Sequence, residues 1–204
     1  MILSYGTHTP SINPDAWVAE DATICGDVVI GAGSRIMHGA RLVAEAGGSL
    51  RIGRNCIVLE NAAIRATAKH PCKIGDHCVV GPHTHVVGAD ISDEVFIATG
   101  ASIFHGAQVG RRSQIRINGI VHLRTRLEPG AVVPIGWIAI GDPAHILSLD
   151  QHEAISAQLT PLDFPGFVYG VDRSLPGVMP KITERLSASL GMHRQESQKP
   201  SSNA

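Results

Sequence analysis

Ile91-Ser92-Asp93-Glu94-Val95-Phe96-Ile97-Ala98-Thr99-Gly100-Ala101-Ser102-Ile103-Phe104-His105-Gly106-Ala107-Gln108-Val109 is the stretch whose reading decides the fold. Ile91, Ile97, Ile103 and Val109 return every six residues. That period fits neither an amphipathic helix nor simple strand alternation, so an internal repeat outranks both. The beat extends outward in both directions. Before the stretch come Ile12, Val18, Ile24, Ile30, Ile36 and Leu42, then Ile52, Val58 and Ile64, then Ile74, Val80 and Val86. After it come Ile115, Val121, Leu127 and Val133.

A second beat runs four residues behind the first and is small: Ala22, Ser34, Ala40, Ala46, Cys56, Ala62, Ala68, Cys78, Thr84, Ala101, Ala107, Ser113, Gly119, Thr125 and Ala131. One large and one small inward position per hexad describe short strands meeting at tight corners. Gly31, Gly53, Gly75, Gly81 and Gly110 follow the aliphatic, where a corner needs positive φ or close approach of backbones. Three hexads make one triangular coil, and coils stack at the strand spacing of about 4.8 Å. The expected fold is all-β, a parallel β-helix of roughly seven coils.

The 204 residues are expected to divide into a β-helix over 1–147, a helix and connector over 148–193 that packs on the prism, and a disordered tail over 194–204. Within the middle segment, Leu149 to Leu159 and Lys181 to Leu190 read as helices. The proline- and glycine-rich stretch from Pro161 to Pro180 reads as an extended or turning connector. Aromatic content of 4% suits a narrow prism, and a net charge of −1 gives no broad field for nucleic acid or membrane. With no signal peptide and no long apolar run, a soluble cytoplasmic protein is expected. Cys56 and Cys78 fall on the small inward beat, whereas Cys25 and Cys72 are expected outward or in a loop. His70, Cys72, His77 and Cys78 cluster locally, but their spacing matches no common zinc finger.

The repeat resembles that of the hexapeptide-repeat superfamily, and this resemblance implies a left-handed coil. Within it, the first 147 residues resemble the γ-class carbonic anhydrases. Tyr5-Gly6 with Pro10-Ser11-Ile12, Gly26-Asp27-Val28-Val29-Ile30-Gly31, Leu50-Arg51-Ile52-Gly53-Arg54-Asn55, Gly100 to Gly110 and Gly141-Asp142-Pro143-Ala144 carry the likeness. It implies a homotrimer with sites between neighbouring prisms, each holding zinc on three histidines. The corresponding positions here are Arg65, Pro82 and Val87. Proline and valine have no ligand atom, and a guanidinium stays protonated. The family's Arg-Gly-Asp reads Val43-Ala44-Glu45, and its Gln-Asp pair reads Leu59-Glu60. The expectation is a lost zinc site, with Arg65 paired to Glu60 or Glu45 and no metal-bound hydroxide to hydrate CO2.

Eleven histidines leave other chemistry open. His83-Thr84-His85, with Thr84 inward, has metal-binding spacing, and His122 or a neighbouring subunit's His105 would complete a relocated site. The first reading is a trimeric protein that binds a small anion or carboxylate, or acts as a scaffold, with no resident cofactor. The alternative is a CoA- or acyl-CoA-dependent acyltransferase with His83, His85 or His105 as general base. Arg111, Arg112, Arg116, Arg124 and Arg126 would then meet the CoA phosphates, unless they form a solvated face.

Overall fold

The structure is a computed structural model and describes residues 1–197. Residues 1–159 form one compact unit, and the described residues from 160 onward form a second.

The first unit is a left-handed parallel β-helix. Its strands, mostly two or three residues long, stack into three sheets of nine, seven and seven strands. The nine-stranded face contains Arg41–Ala44, Ala63–Ala66, His85–Val87, Ser102–Ile103 and Ile120–Val121. The second face contains Val28–Ile30, Leu50–Ile52, Cys72–Ile74 and Asp90–Ile91. The third contains Ile57–Val58, Val79–Val80, Phe96–Ile97, Gln114–Ile115 and Val132–Val133. Register follows the hexad beat: Ile64 pairs with Leu42 and Val86, and Val86 with Ile103. The parallel stack closes at Ile138–Ile140, which pairs antiparallel with His145–Leu147. Helix α1, His152–Leu159, follows within the same unit.

The large beat fills the prism axis: Ile24, Ile30, Ile36, Leu42, Ile64, Ile97 and Ile103 are fully buried. Most of the small beat lies inside with it, and the hydroxyls of Ser34, Ser113 and Thr125 bond to the next coil, whereas Thr84 Oγ1 is buried with no partner among the described residues. Ser34 Oγ donates to the Gly53 carbonyl at 2.8 Å and accepts from the Cys56 amide at 3.0 Å. Such bonding keeps buried hydroxyls from destabilising the core.

Two members of the small beat do not go inside. Ala46 and Ala68 lie in turns, while Ala44 and Ala66 are the buried residues. The strands Arg41–Ala44 and Ala63–Ala66 run four residues and then leave the hexad register through loops, one of which holds His70. Cys25 and Cys72, expected outward or in a loop, are buried at 7% and 1% exposure. Cys72 belongs to a strand whose alternation turns it and Ile74 inward. The loop before it adds four residues to the hexad, so Cys72 takes the inward position two residues before Ile74 and pairs with Leu50.

Of the two reasons for glycine at corners, close approach applies at Gly31 and Gly81. A Cβ at Gly31 would stand 2.6 Å from the Gly53 carbonyl, and one at Gly81 would stand 2.7 Å from backbone atoms of the next coil. Positive φ falls instead on another corner column that includes Asn61, His83 and Asn118, at 58°, 56° and 54°.

In the second unit, the segment read as an extended connector contains a 3-10 turn, Thr160–Leu162, and a π-helical turn, Pro165–Tyr169. Helix α2 runs Val178–Ser197, longer than the Lys181–Leu190 reading and into the segment expected to be disordered. Residues 198–204 of that expected tail lie outside the described residues. No described helix is long and apolar enough to cross a membrane.

Candidate functional site

Arg65 and Val87 sit opposite each other on adjacent parallel strands, with Val43 opposite Arg65 on the other side. The Arg65 guanidinium donates to the Glu45 carboxylate, whose side chain is only 15% exposed, and no ion pair forms with Glu60. Of the two acids expected to partner Arg65, Glu45 takes it. Pro82 and Leu59 lie elsewhere, at the edge of the third face, where they line a groove of about 340 Å³. The donor set at the zinc-equivalent positions is therefore a paired guanidinium, a proline ring and a buried valine. Zinc does not fit it. Among the described residues, no three His, Cys, Asp or Glu side chains gather where they could hold a metal ion.

His83 and His85 have different surroundings. His83 occupies a left-handed corner and is exposed, a position where Asn61 and Asn118 serve equally well. His85 is on the strand, half-buried, with its ring 6.2 Å from Phe104. Phe104 in turn lies 5.6 Å from His122. His105, beside Phe104 in sequence, meets His70 edge-on at 5.1 Å. His85 and His122 thus flank the Phe104 ring, and the His105–His70 pair lies close enough for its charges to couple with His85. Cys72 and Cys78 point into the core, so the local His70, Cys72, His77, Cys78 grouping does not assemble.

Burial sets the charge of these rings. It pushes His105 down to about 4, assisted by His70, His85 and the Arg65 charge. Burial also lowers His85, with Arg65 contributing, and it lowers His122. The three rings are neutral at pH 7, and a neutral imidazole accepts a proton. The Nδ1 atoms of His105 and His122 are buried and, among the described residues, have no hydrogen-bond partner. Sequence spacing linked His83 and His85 with His122 and placed His105 toward a neighbouring subunit, whereas His70 comes near His105 only through its loop, outside the repeat register.

The arginine run divides. Arg111 and Arg112 both donate to Glu94, Arg126 approaches Glu128 at 3.5 Å, and Arg116 donates to the Gln114 carboxamide. Arg116 also lines the groove.

No family model matches the chain. Carnitine operon protein CaiE of Proteus sp. (strain LE138) is 31% identical over 132 residues, which is 56% of this chain and 67% of that protein. The chain belongs to the hexapeptide-repeat family and is related to the γ-carbonic anhydrases. Gamma carbonic anhydrase 1, mitochondrial, of Arabidopsis thaliana is 28% identical over 153 residues, 72% of this chain and 53% of that protein. The chain spans about half the length of this hexapeptide-repeat relative. Among solved structures, a proposed acetyltransferase of Bacillus cereus superposes with a TM-score of 0.53 over 97% of this chain and 98% of that one, at 20% identity. That likeness concerns the hexapeptide-repeat fold.

Proposed function

We propose that the protein is an acyltransferase drawing its acyl group from a CoA thioester, with His85 as general base. The observation that carries this reading is the set of neutral, half-buried imidazoles of His85 and His122 on either side of Phe104, with His105 close by. His85 takes the proton of an acceptor hydroxyl or amine as that atom attacks the thioester carbonyl. The C–S bond then breaks, the acyl group stays on the acceptor, and the CoA thiolate leaves and is protonated. A base depressed as far as His105 accepts protons poorly at pH 7, which favours His85 for this step.

The reading includes a homotrimer. Arg65 and Val87 lie on one face and Pro82 at the edge of another, so a neighbouring prism is needed to bring the family-equivalent positions together. Small-anion binding at Arg65 is the weaker reading, because Glu45 already neutralises that charge.

The test is release of free CoA from acetyl-CoA in the presence of a panel of small amines and alcohols, alongside a thermal shift with CoA. Stabilisation by CoA and release that collapses in His85→Ala support the reading. No shift and no release, or release unchanged in His85→Ala, overturns it.

A further inference from the structure

On the edge of the third face, the column two residues after each inward aliphatic changes character along the prism. The early coils read Glu20, His38 and Glu60, and the later ones Pro82, Thr99, Ile117 and Ile135. Ile117 and Ile135 are 46% and 62% exposed, and Phe96 beside them is 46% exposed. These three side chains, with Leu59, Val79 and Pro82, enclose the groove of about 340 Å³. Clustered exposed apolar surface marks a place where something binds. The volume falls within the range of about 300–1,000 Å³ typical of small-molecule sites.

Arg116 lines the same groove. Its guanidinium donates to the neutral Gln114 carboxamide at 3.1 Å and, among the described residues, forms no ion pair. Its neighbours Arg111 and Arg112 are both neutralised by Glu94. The groove thus couples an apolar wall to one uncompensated cation. A wholly apolar ligand would leave that cation unused, and a polyphosphate would find one cation where several are needed.

We infer that this groove binds an amphipathic organic monoanion, its apolar body against Phe96, Ile117 and Ile135 and its carboxylate on Arg116. A groove at the low end of that range suits a small straight-chain or aryl acid. Within one prism the groove lies at the Pro82 edge of the third face, whereas His85 is on the nine-stranded face, so its ligand can be tested separately from acyl transfer.

Calorimetric titration of the full-length protein with octanoate and with octan-1-ol tests the inference. The two probes share an apolar body and differ in charge. Octanoate is expected to bind at least about tenfold more tightly than the alcohol, the difference of one charge-assisted hydrogen bond. In Arg116→Gln that difference disappears, and Ile135→Asn weakens both probes. Both positions are exposed, so unchanged melting confirms folded variants. Equal binding of the two probes, an undiminished octanoate affinity in Arg116→Gln, or no binding at all overturns the inference. So does a groove closed by a second copy, seen as loss of oligomer mass in Ile135→Asn with no probe bound to the wild type. Octanoate binding without CoA release leaves this inference standing and removes the acyltransfer reading. CoA release without octanoate binding does the reverse.

Discussion

Arg65 donates to Glu45 across one coil of the prism, and the carboxylate that receives it is 15% exposed while the guanidinium is 43% exposed. The position that holds a zinc ligand in γ-carbonic anhydrases is here one half of an ion pair. The more buried partner depends on the more exposed one for its compensation.

Arg65→Ala is expected to destabilise the fold by about 1–3 kcal/mol, because it leaves the Glu45 carboxylate largely enclosed and unpaired. The double variant Arg65→Met with Glu45→Gln recovers most of that loss. Urea unfolding of the two proteins measures the difference, and equal midpoints would show the pair to be inert.

Stability should fall on acidification in a window set by the buried histidines. His105 titrates near 4 when folded, against an unfolded value of 6.5, so the unfolded chain binds more protons between those limits. Stability is therefore full above about pH 6.5 and declines as pH falls toward 4. The lowered His85 and His122 act in the same direction. His105→Gln should flatten the profile, which denaturant midpoints from pH 4 to 8 would reveal, and NMR titration should find its imidazole neutral at pH 6.

All four cysteines are buried and none forms a disulfide. Burial pushes the Cys72 thiol up to about 11. Contact with Cys56, together with burial, raises Cys78. Native protein should resist a thiol reagent such as Ellman's at pH 8, then release four equivalents on denaturation. Rapid labelling of the folded protein would contradict this burial.

Glycine substitutions should separate close approach from backbone conformation. A Cβ at Gly26 would meet the Ala44 carbonyl oxygen at 2.2 Å at a φ of +84°, whereas Gly130, at +74°, has nothing within 4 Å. Gly130→Ala then carries only the left-handed cost of about 1–2 kcal/mol. Gly26→Ala adds a backbone clash and should exceed it by about 2 kcal/mol or more. Similar melting temperatures for the two would count against the tight stacking of these coils.

The repeat was legible because its inward positions alternate with outward ones whatever the neighbouring coils contain. Ile64 beneath Val86 follows from counting, and with it the opposition of Arg65 and Val87. Counting failed where the chain leaves the six-residue register. Ala46 and Ala68 kept the beat in sequence but lie in turns, and Cys72 turned inward after such a loop. His83 looked like half of a metal pair until its left-handed corner showed a backbone reason for its place. The groove left only a faint trace in the sequence, the outward column turning apolar at Ile117 and Ile135.

By itself the sequence determined the coil, the stacking register and the absence of zinc-ligating atoms at Arg65, Pro82 and Val87. Periodicity and donor chemistry are local properties that no packing can reverse. Tertiary structure alone decided which acid neutralises Arg65, which histidines flank Phe104, and how Arg116 meets the apolar groove. Those outcomes depend on distances between side chains on different coils and on how far each is shielded from water.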